Sequence, residues 1–186
     1  MRADREQLVD ELLVLRSQGG DAAAMKALVE RWQRPLWTHA YRLTDDAEAA
    51  WDVVQEAWVA IIRGLRRLED AACFRTWAFR IVTHKAADAI GRKVRDRRLR
   101  EAAAEKAADA VQGAAGGNEA DDATRRIVDR LGVRDRQVLT LHYLEGFSVA
   151  EIAGVLQIPE GTVKSRLFKA RARLKESYRV NDNRSE

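Results

Sequence analysis

The chain has a single cysteine, Cys73, in 186 residues. This excludes an internal disulfide and any zinc site built from cysteine pairs. A lone thiol fits a reducing compartment, so a cytoplasmic location is expected. Proline is almost absent, with Pro35 and Pro159 the only two, and little interrupts helix formation. No apolar run approaches the roughly 20 residues that span a bilayer. The charged start MRADREQ is also unlike a signal peptide, and no membrane insertion is expected. The three histidines, His39, His84 and His142, keep no metal-ligand spacing. There is no phosphate-cradling glycine loop, and no Ser or Cys stands in a nucleophile context. The expectation is a non-enzyme with no catalytic residue, no metal and no cofactor.

Charge is plentiful but segregated. The net charge is only +4, yet Gly91 to Arg100 holds six Lys or Arg against one Asp, and Glu160 to Lys175 holds six against one Glu. Between them, Glu101 to Ala123 has one Lys against six acids. Two cationic domain ends are thus separated by an acidic spacer.

The second cationic segment belongs to a recognisable unit, SVAEIAGVLQIPEGTVKSRLFKARARLK, Ser148 to Lys175. Ser148 and Glu151 have the spacing of a capping box. Val149, Ile152, Ala153 and Leu156 fall on one helical face, and Pro159 suits the first turn of a second helix. In that helix Val163, Leu167, Ala170 and Leu174 form the apolar stripe. Lys164, Arg171 and Lys175 lie on one flank, and Thr162, Arg166, Lys169 and Arg173 on the other. Opposite the stripe are Gly161, Ser165, Phe168 and Ala172, mostly small. A helix of this kind sits close to a groove floor, with cations on the phosphate walls and a few residues near its amino end reading bases. The pattern predicts a helix-turn-helix that binds duplex DNA.

Apolar residues recur at helical intervals elsewhere too, and no alternating strand pattern is present. The expected fold is all-α, with two small helical domains (residues 1–100 and 124–180) joined by a flexible, acidic, Ala/Gly-rich linker (101–123). Predicted helices run from Asp4 to Arg16 and from Asp21 past Trp32, with Pro35 bending or breaking the second before Leu36 to Leu43. Another follows a capping box of Asp45 and Glu48 and runs through Arg63. A loop over Gly64 to Ala72 leads into a long helix from Phe74 to Arg98. The second domain is read as helices Thr124 to Leu131 and Asp135 to Tyr143, followed by the pair described above. Trp51 and Trp58, seven residues apart, are assigned to core packing.

YLEGFSVAEIAGVLQIPEGTVKSRL, Tyr143 to Leu167, resembles the promoter-reading helix-turn-helix of bacterial RNA polymerase sigma factors, particularly the extracytoplasmic-function (ECF) group. Gln157 departs from that family, which usually has Gly at this turn position. DAEAAWDVVQEAWVAIIRGL, Asp46 to Leu65, resembles sigma region 2.2, and FRTWAFRIVTHKAADAIGRKVRDRR, Phe74 to Arg98, resembles regions 2.3 and 2.4. The resemblance covers about residues 21–98 and 124–175.

It implies that Asp52, Gln55 and Glu56 bind the largest subunits of core RNA polymerase. It also implies that Trp77, Arg80, His84, Lys85, Asp88, Arg92, Lys93 and Arg95 recognise and melt the −10 element, with Leu68 to Cys73 as a pocket loop and His84 standing where many relatives carry Asn. Thr162, Lys164, Ser165, Arg166, Phe168, Lys169, Arg171 and Arg173 would bind the −35 element. The partners so implied are core polymerase, promoter DNA and an anti-sigma factor. Two other readings stay open at this point. A helix-turn-helix regulator would bind operator DNA without being a polymerase subunit, and a DNA recombinase would need a strand-bearing catalytic domain that the amino half does not show.

Overall fold

The computed structural model describes residues 2–105 and 132–182. Seven α-helices and no strand occur among the described residues. They are α1 (Arg2–Gln18), α2 (Ala22–Thr44), α3 (Ala47–Gly64), α4 (Phe74–Glu105), α5 (Val133–Leu139), α6 (Val149–Leu156) and α7 (Glu160–Asp182). The all-α expectation holds. The predicted helix Thr124 to Leu131 and most of the predicted linker lie outside the described residues.

Helices α1 to α4 pack around Leu28, Leu36, Val54, Ile61, Phe74, Phe79 and Val82, all fully or almost fully buried. Pro35 does not break the second helix, which is continuous from Ala22 to Thr44. A proline inside a helix costs about 3 kcal/mol, but Trp32, Leu36, His39, Ala40 and Leu43 bury one face on both sides of it. Each large apolar side chain so buried returns about 1.5–3 kcal/mol, which is enough to keep the helix continuous through it. The α3 cap also differs from expectation by one residue. Asp46 is the N-cap, accepting from the amides of Glu48 and Ala49, while Asp45 ends α2 in the left-handed region at φ 54°. Two adjacent aspartates fit either role by sequence, and the short turn assigns them. The cap amides and the Lys93 ammonium both lower the Asp46 pKa.

Trp58 is buried as expected, but Trp51 is 43% exposed. It leans on Trp37 with centroids 5.7 Å apart, at the outer edge of the bundle. Seven-residue spacing puts both on one helical face; that face is wide enough for one ring to reach solvent.

The segment after α3 forms two short 3-10 turns, Leu65–Arg67 and Ala71–Cys73. Gln18 holds it to α1, its Nε2 donating to the Leu65 and Leu68 carbonyls at 2.9 and 2.7 Å. α4 then continues seven residues beyond the predicted Arg98, to Glu105.

In the second domain, the sequence pattern predicts one helix from Asp135 to Tyr143. Instead α5 stops at Leu139 and widens into a π-helical turn, Thr140–Leu144. The Glu145 amide closes it by donating to the Thr140 carbonyl at 3.0 Å. Such widened turns insert a residue into the helical count and re-aim the chain beyond them. Here Gly146, at φ 70°, completes the reversal in a region open mainly to glycine. The predicted capping box of Ser148 and Glu151 is present. α6 ends at Gln157, which holds φ 53°, so the tight turn survives the absence of glycine. The Ile158 amide closes that turn onto the Ala153 carbonyl at 3.2 Å.

Candidate nucleic-acid interface

α6 and α7 meet through Ile152, Val155, Val163, Leu167 and Ala170, all buried. The expected apolar stripe is therefore the packed side of α7, and its opposite face turns outward. Gly161, Lys164, Ser165, Phe168, Lys169, Arg171 and Ala172 are exposed, while Thr162 and Arg166 are half-buried. Phe168 is 74% exposed, an unusual position for a large ring in the middle of a cationic surface. Lys164 lies 4.0 Å from Glu160, Ser165 Oγ donates to the Thr162 carbonyl, and the Arg171 guanidinium sits 5.5 Å above the Tyr143 ring.

Arg173 stands apart from the other cations. It pairs with Asp135, whose side chain is largely buried, and so ties α7 back to α5. Among the described residues, Arg166 and Lys169 have no acidic partner.

The first domain carries a second candidate face, on α4. Trp77, Arg80, His84 and Asp88 step along α4 at intervals of three and four. Arg80 is half-buried, and His84 and Asp88 are exposed. Trp77 packs inward on the end of α3. A Cβ at Gly64 would stand 2.9 Å from its Cζ2, so glycine permits this approach.

Further along, the basic run faces α3 across an open groove of about 940 Å³. Asp52, Gln55 and Glu56 line one wall, and Arg92, Lys93, Arg97 and Arg100 line the other. Salt bridges cross it. Lys85 Nζ is 3.0 Å and Arg92 Nη2 3.6 Å from the Glu56 carboxylate, and Lys93 Nζ is 3.0 Å from Asp46. Residues read as two separate surfaces, acidic on α3 and basic on α4, thus form one charge-compensated groove. Asp52, Gln55 and Arg95 are exposed.

The sequence reading missed the contact between the two domains. The turn after the π-helical segment enters the first domain between α2 and α4. The Glu145 carboxylate accepts from Arg42 Nη1 at 2.6 Å and lies 3.7 Å from His39 Nδ1, too far for a hydrogen bond. Arg75 donates to the Glu145 carbonyl and covers the Phe147 ring at 3.9 Å. Phe147 is buried and meets Phe79 edge-on at 5.0 Å.

His39 is fully buried, with Nε2 2.9 Å from Thr83 Oγ1. That hydroxyl donates to the Phe79 carbonyl at 2.7 Å, so it accepts from a protonated Nε2. This leaves Nδ1 as a bare acceptor, without a hydrogen-bond partner. Burial lowers the His39 pKa against the opposite pull of Glu145, and Arg42 lowers it further. For Glu145, burial raises the pKa, but the Arg42 guanidinium donating to its carboxylate at 2.6 Å outweighs it, and the value falls below the ordinary one.

Both shifts have the same consequence. A histidine with a lowered folded pKa withdraws stability as pH falls below its ordinary value of about 6.5, and a glutamate so lowered does the same below about 4.3. Urea midpoints should therefore drop between pH 7.5 and pH 5.5, and His39→Gln should shrink that drop. An equal drop in the variant would remove His39 as its source.

The fold is a two-part helical one carrying a cationic helix-turn-helix. Residues 28–96 match the family model of sigma-70 region 2, and residues 121–174 that of sigma-70 region 4. The sigma-H factor of Pseudomonas aeruginosa is 34% identical over 173 residues, covering 87% of this chain and 90% of its own. The ECF sigma-E factor of Escherichia coli is 32% identical over 177 residues, covering 89% and 92%.

Among solved structures, CnrH in complex with the cytosolic domain of CnrY aligns at TM-score 0.69 and 24% identity, over 92% of this chain and 98% of that one. The sigma factor RpoE of Bartonella quintana, solved with the anti-sigma factor NepR, aligns at TM-score 0.64 and 22% identity, over 84% and 97%. Both support the fold. The chain belongs to the RNA polymerase sigma factors of the ECF type. Among its described residues no helix is long and apolar enough to cross a membrane.

Proposed function

We propose that this protein directs core RNA polymerase to its promoters as a non-catalytic initiation subunit, α7 engaging the −35 element and α4 recognising and melting the −10 element. The observation that carries the reading is the pairing of an outward cationic recognition helix in one domain with the α3–α4 groove in the other, in a chain that matches both sigma regions. On α7, Arg166 and Lys169 hold phosphates, and Gly161, Ser165 and Ala172 allow close approach to the groove floor. Phe168 suits apolar contact with a thymine methyl. Arg173, paired with Asp135, positions the helix. On α3, Asp52 and Gln55 face the polymerase together with Glu56. We further propose an anti-sigma factor as a regulatory partner, a reading supported by the complex in which the Bartonella quintana relative was solved.

Run-off transcription with purified bacterial core polymerase on a genomic fragment library tests the reading. Promoter-specific initiation is expected, and its absence would favour an ordinary operator-binding regulator. For α7, Arg166→Ala or Lys169→Ala should weaken binding to an upstream-element duplex and reduce the slope of log K against log salt by about one. An unchanged slope across the salt series would remove that residue from the phosphate contacts.

A further inference from the structure

α1 is buried on one side only. Val14 and Ser17 lie in the core, Leu13 packs against it, and Gln18 holds the Leu65 and Leu68 carbonyls. The other side carries Leu8, Val9, Leu12 and Leu15, which are 63%, 42%, 55% and 57% exposed. Wound at about 100° per residue, they fall in one stripe about 120° wide, opposite Val14. A stripe of that width normally faces a core, and this one faces solvent. Four such side chains make a patch of about 300–600 Å², the size at which exposed apolar surface marks an interaction site. None of the residues assigned to DNA or to polymerase lies on α1, so promoter recognition does not account for it.

Spacing and charge identify what fits the stripe. Leu8, Leu12 and Leu15 are separated by four and three residues, as the seam positions of a coiled coil are. Glu11 borders that seam on one flank and Arg16 on the other. When two copies of one helix lie parallel, opposite flanks meet, so Glu11 of each copy faces Arg16 of the other across a two-fold axis. In an antiparallel pair like flanks meet, and this match is lost. Within the chain, Glu11 accepts from Gln7 through Oε1 at 3.0 Å, and Arg16 donates to Asp21 through Nε and Nη2. Oε2 and Nη1 can still take a partner. Because the stripe lies opposite the packed side of α1, the body of each copy falls outside the helix pair.

We propose that α1 pairs in parallel with α1 of a second copy of this chain, with Leu8, Leu12 and Leu15 as the seam, Val9 at its margin and Glu11–Arg16 pairs on both sides. The patch, counted on both copies, comes to about 600–1,200 Å², below the 1,200–2,000 Å² or so of a stable complex. The dimer is therefore reversible, with dissociation in the micromolar range. Arg5 stands at the next seam position, three residues before Leu8, and two such cations facing each other limit the length of the pair. The pairing does not rest on the promoter-directing reading, because α7 and the α3–α4 groove are built from other helices.

Sedimentation velocity of the full chain, from about 1 to about 200 µM, tests the pairing. The sedimentation coefficient should rise from the monomer value toward the dimer value across that range. Leu12→Lys, at an exposed position, should abolish the rise while leaving the thermal melt in place. Arg5→Leu adds a layer to the seam and removes the facing cations, so it should tighten association at least about tenfold. A wild type that stays monomeric throughout would overturn the proposal, and so would a dimer indifferent to both substitutions.

The orientation has its own readout. In a Cys73→Ser background, Leu8→Cys sets a thiol against its own counterpart only in the parallel pair. Oxidation should give a covalent dimer on a non-reducing gel, and adding Leu12→Lys should remove it. Absence of the cross-link would refute the parallel seam. If the wild type is monomeric and Leu12→Lys lowers run-off initiation with core polymerase, the stripe is a polymerase contact and the second copy is ruled out.

Discussion

Asp52→Lys combined with Glu56→Lys is expected to weaken assembly with core polymerase at least a hundredfold while leaving the fold intact. Both carboxylates stand on the outer face of α3, where the backbone is fixed by Val53, Val54, Ala57 and Trp58 beneath. Removing one member of a desolvated interfacial charge pair costs about 2–5 kcal/mol, and 1.4 kcal/mol is tenfold in affinity. Reversing two charges therefore exceeds a hundredfold under the proposed role.

The cost to folding is far smaller. Glu56 is paired with Lys85 and Arg92, but all three side chains are 36–53% exposed, and pairs of that kind contribute about 0–1 kcal/mol. A fluorescence titration against core polymerase, with a thermal melt alongside, separates the two effects. Normal assembly would remove this face from the polymerase contact. The milder Glu56→Gln adds a control with the opposite sign. It frees Lys85 and Arg92, so single-stranded DNA binding by the protein alone should strengthen and become more salt-dependent.

Most of the fold was legible because its signals are local. A capping box reports itself in four residues, as Ser148 and Glu151 do, and the α7 stripe of Val163, Leu167, Ala170 and Leu174 is fixed by the helical period alone. The misreadings share a different cause. Pro35 is a local breaker overruled by burial on either side, which no window around it reveals. Asp45 and Asp46 are chemically alike, and only the path of the chain between α2 and α3 decides which one caps. The π-helical turn at Thr140–Leu144 has no compositional signature, because its purpose lies in where it sends Glu145 and Phe147.

The candidate site divides in the same way. Its residue types could be found by charge and spacing, but their partners could not. Arg173 looks like its neighbours on the helical wheel, yet it pairs with Asp135, 38 positions earlier. Glu56 looks like a free acid on α3, yet it is held by two cations from α4. His39 gave no signal beyond the absence of metal spacing. Its role comes from Thr83 on one side and from Glu145, far along the chain, on the other. Sequence patterns report which face of a helix is buried; they do not report what buries it.

Phe79→Ala should lower stability by about 3–5 kcal/mol, the largest loss expected from a single side chain in the contact between the domains. Phe79 serves two cores. It meets Trp32 edge-on at 6.3 Å and His39 at 4.8 Å within the first domain, and Phe147 at 5.0 Å from the second. Phe147→Ala removes only the last of these along with the Arg75 contact, so it should cost less. The double variant isolates the contact between the rings. Edge-on aromatic pairs contribute about 0.5–1.5 kcal/mol beyond their buried area, and residues in contact show coupling of that order in a mutant cycle. Urea unfolding of the wild type, both single variants and the double variant at pH 7.5 should give a coupling of about 1 kcal/mol. Strict additivity would mean that the rings do not meet in solution and that the domains fold independently. Because Phe147 lies in the turn that also carries Glu145, loss of this coupling in Glu145→Lys would show that the charge and the ring dock as one unit.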